Sequence, residues 1–331
     1  MARVTRKSIP LSSMRLVFLA DASQAIGSGH VMRSSAIAEK AISMGIDCVF
    51  VGSISDIPWL QHRIMGLGFS DIVCTDEFNS NSNSDVLVLD SYTLGINDTF
   101  IQPERWKKTV LIADTTTPNY RADLIIHPGI DGSWYKGDIS KFLSGYKFIP
   151  LRSSIKMRSR QSKFYVEKII IFGGGTDAFN FGFAIANELR KLVGFQSATF
   201  FSNDVSRIQN LDLRFKVCDF GSQLDLALDS ADLVFTTAST SALEVIARGI
   251  PLGIASAVPN QSDFYQAIGQ LDLASPVGDR VETGDWVLDS TQIQRLIDDR
   301  LYRADLVNKG LGVIDFQGSA RIIEAIIRVQ A

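Results

Sequence analysis

The chain has 331 residues, 46% hydrophobic and 21% charged, with a formal net charge of −3. That is the composition of a globular protein long enough for two domains, without the basic excess that nucleic acid or an anionic membrane surface selects. Cys48, Cys74 and Cys218 form neither a disulfide framework nor a zinc spacing, which suits a reducing cytosol and predicts a cytoplasmic protein.

Residues 1–13 read as a loose tail. The apolar run at 14–20 is too short for a signal-peptide core, and no stretch is long enough to span a bilayer. The stretch 15–33, RLVFLADASQAIGSGHVMR, reads as a buried strand at 16–20, a loop ending in Gly27-Ser28-Gly29, and a helix opening at His30. Two glycines two apart permit a turn that side chains would block, and they let a ligand reach the first turn of the helix. A helix N-terminus favours phosphate or a developing anion. The same field disfavours imidazolium, so His30 is expected to be neutral near pH 7 and able to act as a base, with Asp21 close enough to influence it. The plainer reading is a helix-start residue that fills space.

Helical spacing of Val31, Ile37, Ala38, Ala41 and Ile42 predicts a helix at 31–44, stopped by Gly45. A strand at 47–51, a helix at 59–65 and a short strand at 71–74 follow. NSNSNS at 79–84 is a polar surface loop. Strands at 86–89, 109–113 and 123–126 end just before Asp90, Asp114 and His127, as the first does before Asp21. Strands alternating with helices predict a parallel sheet, and ligands bind at the carboxyl edge of such a sheet. The charged stretch 153–163 reads as an interdomain linker. The βαβ pattern then restarts with a strand at 168–172, the turn Gly173-Gly174-Gly175 and a helix at 181–193. A strand at 198–201, a helix at 224–229, a strand at 232–236 and a helix at 242–248 come next. The remaining elements are a strand at 252–255, the loop Pro259-Asn260-Gln261, and amphipathic helices at 293–301 and 319–329.

The second half offers a nucleotide site. Ser239, Thr240 and Ser241, just before a helix, can present N–H and hydroxyl groups to a diphosphate, and Glu244 is placed to take both hydroxyls of a ribose. The turn at Gly173, Gly174 and Gly175 is a second place of close backbone approach. Its fit to a dinucleotide fingerprint is weak, because no acid ends the next strand about twenty residues on, and this disfavours an oxidoreductase. There is no P-loop motif. No residue cluster has metal-ligand spacing, so neither metal nor cofactor is expected.

These stretches resemble the pseudaminic-acid pathway UDP-sugar hydrolase family, relatives of the two-domain glycosyltransferases of the GT-B fold. The resemblance runs through ADASQAIGSGHVMR, LDSYTL at 89–94, ADLIIHPG at 122–129, YKFIPLR at 146–152 and IIIFGGGTD at 169–177. It continues in ADLVFTTASTSALEVIARGIP at 231–251, PNQ at 259–261 and DFQGSAR at 315–321. It implies that His30 activates water at the anomeric carbon of a UDP-sugar, that UDP leaves by C–O cleavage, and that no metal takes part. Gly27 and Gly29 would flank the reacting centre. Glu244 and Ser239 to Ser241 would hold uridine and diphosphate, and Asn260 and Gln261 would line the sugar side. Arg33, Asp90 and Tyr92, in the matched stretches, are counted with the substrate contacts. The chain departs from the family pattern at Ala113-Asp114, Tyr120, Gly175-Thr176-Asp177-Ala178 and Ala238-Ser239, changes that bear on the sugar and the acceptor.

The expected fold is therefore α/β: two Rossmann-like domains facing across a cleft, GT-B-like, with a C-terminal helix returning to the first. The expected divisions are a tail at 1–13, domains at 14–153 and 154–310, and a returning segment at 311–331. The expected function is hydrolysis of a UDP-linked amino or deoxy sugar in surface-glycan biosynthesis. A glycosyltransferase with the same base and a non-catalytic sugar-nucleotide-binding protein are the alternatives.

Overall fold

A computed structural model describes residues 14–54, 56–78, 84–91, 94–113, 120–129, 135–157, 162–202 and 213–330. Tyr92, Asp114 and the expected tail lie outside these residues, as do most of the NSNSNS stretch and the side chain of Asn260. The described chain forms two compact units. One takes the residues up to Ser23, His30–Ser153 and the stretch from Phe316 onward; the other takes Gln24–Gly29 and Ser154–Asp315.

In the first unit the strands are β1 (Arg15–Ala20), β2 (Asp47–Val51), β3 (Asp71–Val73), β4 (Val86–Asp90), β5 (Lys108–Ile112), β6 (Leu124–His127) and β7 (Phe142–Ser144). They pair in parallel in the order β3-β2-β1-β4-β5-β6-β7. Continuous apolar runs such as RLVFLA and VLVLD suit strands buried on both faces. One face is covered by α1 (Gly29–Ser43) and α2 (Pro58–Met65), together with α9 (Gly318–Gln330) from the far end of the chain. Ile322, Ile323 and Ile326 of α9 share a core with Phe18, Val31, Ile37 and Phe50. Arg321 Nη1 donates to the Lys147 carbonyl at 3.0 Å, fastening the same helix.

The start of α9 lies so close to the preceding chain that a Cβ on Gly318 would stand 1.9 Å from the Ile149 carbonyl oxygen. Neither backbone yields without disturbing the helix docking. Gly318→Ala is expected to cost about 1–3 kcal/mol, the range for forced overpacking, read as a lowered midpoint in a thermal or urea melt. An unchanged midpoint would show that the helix start shifts freely.

In the second unit the strands are β8 (Ile169–Phe172), β9 (Ala198–Phe201), β10 (Phe215–Cys218), β11 (Leu233–Thr237), β12 (Leu252–Ser256), β13 (Ser275–Arg280) and β14 (Trp286–Leu288). Their order is β10-β9-β8-β11-β12-β13-β14, parallel except for β14, which runs antiparallel to β13. The helices are α3 (Phe181–Leu189), α4 (Ser222–Ser230), α5 (Thr240–Ala247), α6 (Ser262–Gln270), α7 (Ser290–Asp298) and α8 (Arg300–Leu311).

The two-sheet α/β architecture is the one the sequence predicts. Several elements differ in detail. The helix expected to run to 193 ends at Leu189, where the chain turns with i→i+3 bonds at Lys191 and Leu192. The helix expected at 293–301 is two helices, because Asp299 leaves helical geometry and its side chain caps the N-terminus of α8 at Tyr302 N. The strands β7, β10, β13 and β14 and the helix α6 have no counterpart in the sequence reading.

Candidate active site

Each sheet changes winding direction once among its described strands: between β1 and β4 in the first, and between β8 and β11 in the second. The crevice beyond the carboxyl ends of such a strand pair is where open α/β sheets bind ligands. The residues singled out from the sequence collect at these two places.

After β1 of the first unit the chain passes through the loop with Gly27, at φ +87°, and α1 begins at Gly29. His30 is the second residue of α1, with no acidic side chain in the first turn to oppose the positive helix end. Asp90, the last residue of β4, stands beside it: His30 Nδ1 lies 3.7 Å from Asp90 Oδ1. Arg33, one turn along α1, donates from Nε to Asp90 Oδ2 and from Nη2 to Oδ1, both at 2.6 Å. Ser34 Oγ adds a bond to Oδ2 at 3.2 Å. Arg33 is 4% exposed and Asp90 0%. These two were expected to touch substrate; the structure instead turns them on each other inside the protein.

Asp21, expected beside the base, ties the strand ends together. Its Oδ1 accepts from Ser53 N at 3.1 Å and its Oδ2 from Ser91 Oγ at 3.3 Å. The other histidines fit other roles. His62 is exposed on α2. His127 is buried at the end of β6, its Nδ1 paired with the Ala113 carbonyl at 2.9 Å and its ring parallel to Phe142. Burial pushes the Cys48 thiol up to about 12, which removes it as a nucleophile.

In the second unit, β11 ends in Thr236-Thr237 and the chain enters α5 through Ala238 and Ser239. Ser239 is the N-cap residue, yet its hydroxyl makes no cap bond. Buried Ser239 Oγ and Thr236 Oγ1 find no hydrogen-bond partner among the described residues. No acid stands in the first turn of α5, and Glu244, half-buried, follows one turn on. Uncommitted hydroxyls at a helix start with no opposing carboxylate are suited to an anion.

The glycine turn after β8 is arranged differently. Gly174, at φ +77°, lies beside Thr237 of the neighbouring strand, with a built Cβ 3.6 Å from Thr237 Oγ1. At Gly173 a Cβ would fall 1.7 Å from Asp177 Oδ1, because Asp177 folds back to accept from Gly182 N, 3.3 Å from each carboxylate oxygen. The start of α3 thus already carries the chain's own anion. Glycine is needed at 173 to admit it. Gln261 is also committed in part: its Oε1 accepts from Ala257 N at 2.9 Å and closes the loop after β12.

A cavity of about 310 Å³ opens at the opposite, amino edge of this sheet, among Tyr165, Val166, Pro251, Ala304 and Val307. Its charges are already engaged, Lys163 with Glu167 and Asp232, Asp229 with Arg248, and Arg303 with the carbonyls of Leu296, Ile297, Lys163 and Phe164. It does not suit a diphosphate.

Ser34, Thr236 and Asp177 were not singled out from the sequence. The signal for Ser34 was present: polar residues at 33–35 sit within the apolar face of a helix, and such residues need buried partners.

No protein-family model matches the chain. Among solved structures, the spinosyn forosaminyltransferase SpnP aligns with a TM-score of 0.63 and 10% identity, over 96% of this chain and 100% of that one. MurG of Acinetobacter baumannii aligns with a TM-score of 0.59 and 10% identity, over 95% and 99%. These likenesses establish the two-domain GT-B fold. Among curated proteins, the chain is similar to the UDP-2,4-diacetamido-2,4,6-trideoxy-beta-L-altropyranose hydrolase of Campylobacter jejuni subsp. jejuni serotype O:2. The two are 23% identical over 198 residues, 57% of this chain and 71% of that protein.

Proposed function

We propose that the protein is an enzyme acting on a nucleotide-activated sugar, and that it hydrolyses a UDP-linked amino or deoxy sugar at the anomeric carbon, in surface-glycan biosynthesis of the pseudaminic-acid type. The observation that carries this reading is His30 at the start of α1, beside Asp90 at the strand-order reversal of the first sheet. The GT-B fold and the likeness to a UDP-sugar hydrolase supply the substrate class.

In this reaction His30 takes a proton from water while the water oxygen forms a bond to the anomeric carbon. The bond from that carbon to the β-phosphate oxygen breaks, and its electron pair leaves with UDP. The N–H and hydroxyl groups of Ser239, Thr240 and Ser241 stabilise the charge that develops on the diphosphate. Glu244 holds the ribose. Gly27 and Gly29 keep backbone close to the reacting carbon, and Gln261, with Asn260 and Tyr92, contacts the sugar. The residues assigned these roles need no metal or cofactor.

A glycosyltransferase uses the same base on a sugar hydroxyl instead of water, and the fold supports that reading equally. The experiment incubates the protein with a panel of UDP- and CMP-sugars, with and without acceptors, in ¹⁸O-labelled water. Label in the free sugar supports hydrolysis at carbon. Label in the phosphate overturns it, and a product formed only with an acceptor makes the enzyme a transferase. Binding of sugar nucleotides without any turnover leaves the non-catalytic alternative. No described helix is long and apolar enough to cross a membrane, and the free cysteines fit the proposed cytoplasmic setting.

A further inference from the structure

We propose that Arg33 is a positioning residue for His30 and acts through Asp90: its guanidinium fork orients the carboxylate so that His30 carries its proton on Nδ1 and presents Nε2 as the basic atom. The proposal rests on the reading of His30 as the base, and it concerns residues that were expected to bind substrate directly.

The spacing makes the arrangement possible. His30, Arg33 and Ser34 stand at i, i+3 and i+4 on one side of α1. Asp90 reaches them from β4, 57 residues from Arg33 in the chain. Both carboxylate oxygens are engaged. Oδ2 accepts from Arg33 Nε at 2.6 Å and from Ser34 Oγ at 3.2 Å, whereas Oδ1 accepts from Arg33 Nη2 at 2.6 Å and faces His30 Nδ1 at 3.7 Å. The two parallel bonds fix the plane of the carboxylate, which one hydrogen bond would leave free to rotate.

An ionised carboxylate is an acceptor only, so the ring nitrogen that faces it is the one that carries hydrogen. In a neutral imidazole the other nitrogen, Nε2, then keeps its lone pair. Arg33 also matches the charge of a carboxylate that is 0% exposed, so the ring is oriented without a lone buried anion beside it. Lysine would supply the charge but not the fork. Burial of Arg33 and Asp90 removes them from direct contact with a sugar nucleotide and leaves orientation of the base as their contribution.

The test needs no substrate at its first stage. The full chain contains three histidines, so ¹⁵N-histidine labelling gives three imidazoles, assigned with His30→Asn and His62→Gln. Above the pH at which the rings titrate, His30 in the wild type is expected as the Nδ1–H tautomer. Asp90→Asn is expected to convert it to Nε2–H, and Arg33→Lys to give a mixture of the two. Circular dichroism checks that each variant is folded. If Arg33→Lys does not fold, Ser34→Ala removes one bond from the same carboxylate and is expected to shift the mixture less.

With a turned-over sugar nucleotide in hand, Arg33→Lys should lower kcat about tenfold with KM within about twofold. Asp90→Asn should lower kcat further, by no more than the factor of about 10² to 10⁴ expected for loss of the base itself. A wild-type His30 in the Nε2–H form overturns the proposal, as does a tautomer unchanged in Asp90→Asn or in folded Arg33→Lys. The expected spectra without turnover of any sugar nucleotide would support the positioning and remove the functional reading. Turnover with the wrong tautomer would do the reverse.

Discussion

Replacing His30 by asparagine lowers kcat by about 10² to 10⁴ and leaves UDP affinity within about twofold. In the proposed reaction the imidazole is the proton acceptor at the reacting carbon, so its loss is expected to remove general-base catalysis without touching the groups assigned to the nucleotide. Asparagine keeps a polar side chain at the start of α1. The site around it also survives, because Asp90 stays bonded to Arg33 and Ser34. Steady-state kinetics and calorimetry with UDP check the two halves of the expectation. A variant with wild-type kcat removes His30 from the mechanism. Equal losses of turnover and UDP binding would instead make His30 part of the nucleotide site.

Replacing Glu244 by alanine weakens UDP binding about 10- to 100-fold. Hydrogen bonds to a charged group contribute about 1.5–3 kcal/mol each, and about 1.4 kcal/mol is tenfold in affinity. The sign of the effect is informative. A carboxylate close to a diphosphate but not bonded to the ribose would repel the ligand, and its removal would tighten binding. Only a Glu244 that accepts from the ribose hydroxyls gives a loss. Titration calorimetry with UDP against UMP and uridine separates the ribose contribution from the diphosphate. Tighter or unchanged binding would overturn the assignment and move the search to the turn at Gly173–Gly175. That turn starts at a disadvantage, since Asp177 already accepts from the N-terminus of α3.

Much of the candidate site was legible because the signals were local. Glycines at 27 and 29 before a helix, small hydroxyl residues at 239–241 before another, and a histidine at a helix start can all be read from neighbouring residues. The roles of Arg33 and Asp90 were not. Their i, i+3 relation to His30 and their place at a strand end were visible, but a charged residue in sequence reads first as a solvated or ligand-binding group. What makes Arg33 a buried clamp is a partner 57 residues away. Asp177 shows the same limit: the glycine at 173 looked like room for a ligand, and the room is taken by a side chain four residues on.

By itself, the sequence determined the alternation of buried strands and helices, the restart of that pattern near residue 168, and the presence of an apolar-faced helix near the C-terminus. Each is written in periodicity, run length and turn residues within a short window. It left unmarked the elements whose windows carry no such signal. β13, SPVGDR, contains proline and glycine; β7 has three residues; α8, RLYRADLVNKGL, of which the expected helix reached only residue 301, spreads its charges around the helix. Strand order was decided only by the tertiary structure. A strand buried on both faces is apolar throughout, so nothing in its own residues says whether β1 pairs with β4 or β8 with β11. That pairing creates the reversal in each sheet. It brings Asp90 to His30 in the first and the glycine turn to Thr237 in the second, because hydrogen-bonded strands share an edge however far apart they lie in the chain.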